Sequence, residues 1–148
     1  MRLIVTLLAL LALVAGCGPG TPGVTVEFDE GLEQTITELA RSDGSRPLKE
    51  LAPGDWTSVQ VITGPATGAQ IEQELGRPAT VEGDGTYGGD YVQDGNLLMF
   101  DRDGATTRMV SLGNLAALGK GKYRADVVLR ARGGVITMTD PDGRRAGR

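Results

Sequence analysis

Apolar and polar positions follow two different periods along this chain, after an opening run that follows neither. Leu3 to Val14 is almost wholly apolar, with Met1-Arg2 before it and Ala15-Gly16-Cys17 after it. That run is shorter than the roughly 20 residues a membrane-spanning helix needs. Its charged start, apolar middle and small residues before a cleavage point are the layout of a secretory signal over residues 1–16. Gly18-Pro-Gly-Thr-Pro-Gly23 has no apolar period and reads as part of a flexible tether over residues 17–26.

Helical spacing comes next. Phe28, Leu32, Ile36, Leu39 and Ala40 recur at intervals of three and four, predicting a helix from about Asp29 to Ser42. Asp29 can cap it, and Gly44 lies just past its end. Pro47 to Leu51 predicts a single helical turn, closed by Pro53-Gly54. Trp56 to Thr63 alternates as a strand, with Trp56, Ser58, Gln60 and Ile62 on one face. Gly68 to Leu75 predicts a second helix: Thr67 with Gln70 makes a capping box, and Gly76 with Pro78 stops it.

Beyond residue 82 the period is mostly two. Glu82 to Gly95 is rich in Gly and Asp, with a weak strand signal around Tyr91. Asn96 to Asp101 and Thr106 to Leu112 flank Arg102-Asp103-Gly104, a strong hairpin signal. Gly113 to Gly121 reads as a loop. Tyr123, Ala125, Val127, Leu129 and Ala131 line one face of a predicted fourth strand. Gly133-Gly134 turns the chain into a fifth strand, Val135 to Thr139. The expected fold is α+β: a small antiparallel sheet of about four to five strands with two helices on one face. The expected organisation is one domain over residues 27–139, with 140–148 as a disordered tail.

Composition narrows the chemistry. The chain has 148 residues with 23 Gly, 7 Pro, one Cys and no His. Without His there is no Ser-His or Cys-His pair, no His base and no His metal ligand. One Cys excludes an intrachain disulfide and a multi-Cys zinc site. Gly83-Asp-Gly85-Thr-Tyr-Gly88 has the letters of a dinucleotide loop, but no strong strand precedes it and no helix signal follows. Asp101-Arg-Asp103-Gly104 and Asp140-Pro-Asp142-Gly143 have the beginnings of a calcium loop. The first meets Leu112 where the twelfth ligand belongs, and the second runs out of chain, so both read as turns. Carboxylates are plentiful, but their spacing alone nominates no catalytic pair. These exclusions point to a protein that is not an enzyme and carries no cofactor or metal.

Charge is strongly segregated. Residues 17–101 carry 15 acidic and 4 basic side chains, whereas residues 102–148 carry 4 acidic and 10 basic. On the predicted fourth strand, Lys122, Arg124, Arg130 and Arg132 oppose the apolar face. They form either a basic surface for an anionic headgroup or acidic protein, or a solvated face balanced internally by Glu30, Glu33 and Glu38. The second reading is preferred. Trp56 reads as core or core rim, and Tyr87 and Tyr91 as loop packing. With the four basic residues they complete the candidate interface, since aromatics anchor protein contacts. An acidic chain exported from the cytoplasm is a poor partner for nucleic acid.

Two resemblances add to this. Leu13-Val14-Ala15-Gly16-Cys17 resembles the bacterial lipobox. The resemblance implies cleavage between Gly16 and Cys17, diacylglycerol on the Cys17 thiol and acylation of the new amine. Two or three acyl chains anchor stably where one does not. With Gly18 rather than Asp after the cysteine, it also implies the outer membrane, facing the periplasm, in a Gram-negative cell. The segment Thr67-Gly-Ala-Gln70-Ile71-Glu-Gln-Glu-Leu75-Gly76-Arg-Pro78, with Asn96-Leu-Leu-Met-Phe100-Asp101-Arg-Asp103-Gly104, resembles the small SmpA/OmlA-type outer-membrane-assembly lipoproteins over about residues 50–112. Pro53-Gly54-Asp55-Trp56 is similar to a feature of many small bacterial lipoproteins. The chain departs from the assembly pattern in placing a strand between its helices and adding two strands after Leu112. The expected function is a lipid-anchored envelope binding or scaffold module without catalytic activity, contacting another envelope protein. The alternative is an inhibitor or immunity lipoprotein against a toxin or hydrolase. A carboxylate-using envelope hydrolase requires two acids converging in a cleft.

Overall fold

A computed structural model describes residues 24–81, 92–113, 115 and 118–143. The signal region, Gly16, Cys17, Tyr87, Tyr91, the Gly83–Gly88 motif and residues 144–148 lie outside the described residues. The chain is mixed α and β. Its helices are α1 (Glu30–Ser42), α2 (Leu48–Leu51) and α3 (Gly68–Leu75). Its strands are β1 (Val24–Phe28), β2 (Gly44–Pro47), β3 (Ser58–Thr63), β4 (Ala66–Thr67), β5 (Ala79–Val81), β6 (Val92–Gln93), β7 (Asn96–Arg102), β8 (Ala105–Leu112), β9 (Gly121–Arg124), β10 (Val128–Arg132) and β11 (Val135–Thr139).

Local signals account for the helices. The Asp29 side chain accepts from the Leu32 N–H at 2.9 Å, satisfying one of the unpaired donors at the start of α1. Leu32, Ile36 and Leu39 are its buried stripe. At α3 the Thr67 hydroxyl accepts from the Gln70 N–H, and the Gln70 side chain returns the bond to the Thr67 N–H. Gly76 closes α3 in the left-handed region.

The main sheet has six strands in the order β5-β1-β8-β7-β3-β9. Three of its pairings are antiparallel, namely β8-β7, β7-β3 and β3-β9. The sheet is not purely antiparallel, however: β1 runs parallel to both β5 and β8. β1 is a strand the sequence reading did not assign, falling across the expected tether and the helix start. Val24 and Val26 are buried and alternate with Thr25 and Glu27. This short alternation follows a Gly/Pro-rich stretch, and its partners are more than fifty residues away in sequence.

The helices do not share a face. Leu98 and Phe100 of β7 point to the side occupied by α1, while Leu97 and Met99 point to the side occupied by Ile71 of α3. Six consecutive residues of β7 are therefore buried, as expected of a central strand covered on both sides.

A second sheet, in the order β11-β10-β2, packs its inner side chains Leu129, Ala131, Ile136 and Met138 into the core that includes α1. The predicted fourth strand is in fact two strands in two sheets. β9 pairs with β3, the chain bends through Ala125-Asp126, and β10 pairs with β11 and β2. The Val127 N–H donates to the Arg124 carbonyl at 3.1 Å across this corner. The inward alternation survives because the corner carries Tyr123, Val127 and Leu129 into one continuous core. Trp56 precedes β3 rather than joining it. Its ring lies in this same core with Val59 and Val61, not on the face of Ser58 and Ile62. Two hairpins close as read: Asp103-Gly104 and Gly133-Gly134 both take positive φ, the geometry of tight turns between twisted strands.

Candidate interaction surface

Among the described residues, a groove with a volume of about 630 Å³ runs along α1. Phe28, Glu30, Glu33, Glu38 and Arg41 line it, with Ser111 of β8 and Gly113, the residue that follows that strand. Phe28 is the last residue of β1 and stands opposite Ser111. It was read as part of the apolar face of α1, yet it is 50% exposed. The helix begins only after Asp29, so Phe28 keeps strand geometry and falls out of the helical stripe.

The flanks of Phe28 are pinned. Arg108 of β8 reaches the Glu27 carboxylate at 3.0 Å and Asp29 at 3.1 Å. Its guanidinium also lies 5.8 Å from the centre of the Phe100 ring, within cation–π range. Asp29 thus spends one oxygen on the helix cap and the other on Arg108. Glu30 and Glu33 remain beside Phe28 on the first turn, where they suit the positive end of the helix dipole. Glu38 accepts from Gln34 at 3.1 Å. Among the described residues that line the groove, the acids are Asp29 and Glu30, Glu33 and Glu38 of α1, and none comes from β8.

The sequence-nominated residues separate. Trp56 is only 5% exposed: its indole N–H donates to the Ala52 carbonyl at 2.9 Å, and its ring meets Phe100 with centroids 5.1 Å apart. Lys49 sits 4.2 Å over that ring. Lys122 and Arg124 lie on the edge strand β9. Lys122 pairs with Asp101 at 3.1 Å, and Arg124 with Asp126 at 3.3 Å. Arg130 and Arg132 lie on the central strand of the other sheet. Arg130 donates to the Thr139 hydroxyl and the Pro141 carbonyl. The four basic residues are not one surface. Lys122 and Arg124 are balanced by Asp101 and Asp126, not by the expected Glu30, Glu33 and Glu38, because β9 is an edge strand separated from β8 by β3 and β7, whereas α1 packs against β8, β10 and β2.

Asp101 and Asp103 serve the β7–β8 hairpin. The Thr106 hydroxyl donates to Asp101 at 2.7 Å, and Asp103 takes the first positive-φ position of the turn. Among the described residues no group of three or more acidic or Cys side chains is arranged to hold a metal ion, and no helix is long and apolar enough to cross a membrane. No known protein family, curated protein or solved structure matches this chain.

Proposed function

We propose that this protein is a lipid-anchored, non-catalytic module of the bacterial envelope that docks another envelope protein. Residues 1–16 direct export, cleavage falls between Gly16 and Cys17, and lipid on Cys17 holds the domain at the membrane. The likeness of residues 50–112 to small outer-membrane-assembly lipoproteins supports the same setting. The observation that carries the docking role is Phe28, a half-exposed aromatic at the head of a groove walled by Glu30, Glu33 and Glu38. An exposed aromatic next to a mainly acidic wall suits a partner that presents an apolar pocket rimmed by Lys or Arg.

A photo-crosslinking residue at Phe28 in the lipidated chain is expected to trap one stoichiometric envelope protein. Combined Glu30→Lys and Glu33→Lys should lower that yield at least several-fold without lowering the protein level. Capture of many envelope proteins, unaffected by the charge reversal, would overturn the reading. Palmitate labelling that persists in Cys17→Ala would overturn the anchor alone. The acidic wall also favours the second reading, an inhibitor or immunity lipoprotein, because it can fill the basic cleft of a toxin or hydrolase. A trapped partner whose own enzymatic activity falls on adding the purified domain would decide for that reading.

A further inference from the structure

Sheet edges expose unpaired backbone groups, and proteins usually guard them with charge, Pro, bulges or short length. Among the described residues, three of the edges here are guarded. β9 carries Lys122 and Arg124, β2 carries Arg46 and ends on Pro47, and β5 has only three residues. Among the described residues β11 itself has no charge, Pro or bulge. It is Val-Ile-Thr-Met-Thr, five uncharged residues in an unbroken register with β10, and Val135 is 62% exposed.

The hairpin geometry says which groups face outward. Gly133 and Gly134 form a two-residue connection, so Arg132 and Val135 are a hydrogen-bonded pair. Alternation then turns the N–H and C=O of Val135, Thr137 and Thr139 toward β10. Those of Ile136 and Met138 point away from β10, to the open side.

We propose that a second copy of this chain occupies that edge, with β11 pairing antiparallel to β11 about a two-fold axis at Thr137. In this register the outward groups of Ile136 meet those of Met138 in the other copy, which makes four interchain backbone hydrogen bonds. Their buried side chains continue the inner face of the small sheet from one copy into the other. Thr137 faces Thr137, Val135 faces Thr139, and no charge stands opposite a like charge. The same operation at β9 would bring the Lys122 and Arg124 side chains of two copies together. Five residues of edge contact fall below the roughly 1,000 Å² of a stable soluble interface. Confinement on a membrane supplies the missing local concentration, a point that rests on the proposed anchor.

Disulfide trapping in envelope fractions from cells making the full chain tests the register. At the axis the two residues 137 are a non-hydrogen-bonded pair with Cα atoms about 4.5 Å apart. That lies within the roughly 4.4–6.8 Å a disulfide spans. Two copies of residue 135 are offset by four positions, about 13 Å. Thr137→Cys is therefore expected to form a homodimer on mild oxidation, several-fold more than Val135→Cys despite the greater exposure of Val135. In a second variant set, cells making Val135→Cys and Thr139→Cys chains together should form a mixed dimer that neither makes alone. Equal or greater trapping of Val135→Cys, or no dimer above wild type from Thr137→Cys and from the mixed pair, would overturn the proposal. Wild type reports on the anchor separately: a wild-type disulfide dimer means a free Cys17 thiol, and the same ratios then decide in the Cys17→Ala background.

Discussion

The six-stranded sheet is covered very differently on its two faces. Among the described residues, one face joins α1, α2 and the small sheet in a cluster of nineteen buried residues, while the face under α3 holds eight. The larger face is built from segments spread across the chain, from Leu32 to Met138, and it contains both Trp56 and Phe100. The smaller is made mainly of aliphatic side chains closed by one short helix. The difference teaches where cooperativity resides. Damage to the larger face disturbs two sheets and the corner between them, whereas damage to the smaller face loosens α3 and its neighbours.

The comparison can be broken by substitution on each side, read by urea unfolding of the soluble domain. Phe100→Ala removes the ring between Trp56 and Arg108 and should cost about 3–5 kcal/mol, enough to unfold a marginal domain. Ile71→Ala, on the α3 face, should cost less, about 2–3 kcal/mol. An equal or larger loss at Ile71 would mean that the two faces contribute alike. The helix caps sharpen the same contrast. Asp29→Ala loses both a cap and the Arg108 contact and should cost about 1–2 kcal/mol; Thr67→Ala loses a cap at an exposed position and should cost about 1 kcal/mol. The smallest effect belongs to the periphery of both faces. Arg124→Ala breaks an exposed pair with Asp126 and should change stability by no more than about 0.5 kcal/mol. A larger change there would show that the β9 edge participates in the core of the larger face.

Much of the local structure was legible. Capping residues, helical spacing and Asp-Gly or Gly-Gly turns act within a few residues, so α1, α3, the β7–β8 hairpin and β11 fall where the pattern places them. β1 and β2 were not legible. β1 is stabilised by parallel neighbours distant in sequence, and β2, Gly-Ser-Arg-Pro, has no strand pattern and pairs only because β10 lies beside it. The candidate surface was legible in part. The acidic positions of α1 were noted as a charge complement, but Phe28 was assigned to the core because helical spacing counts it one turn too early. The four basic residues were grouped on one strand because inward alternation continues through the corner at Ala125-Asp126, while their sheets diverge.

By itself, then, the sequence determined its helices and tight turns and the absence of His chemistry, and it carries the resemblance to a lipobox ending at Cys17 on which the proposed anchor rests. Each follows from residue types and spacings that act locally. Only the tertiary structure decided that α1 and α3 lie on opposite faces, that β1 enters the sheet in parallel, and that Phe28 is exposed while Trp56 is buried. It alone decided that, among the described residues, the uncharged strand β11 lies at a sheet edge. Those outcomes depend on which distant strand supplies a missing hydrogen-bond partner and which apolar stripe is covered by another. No spacing within a single segment encodes them.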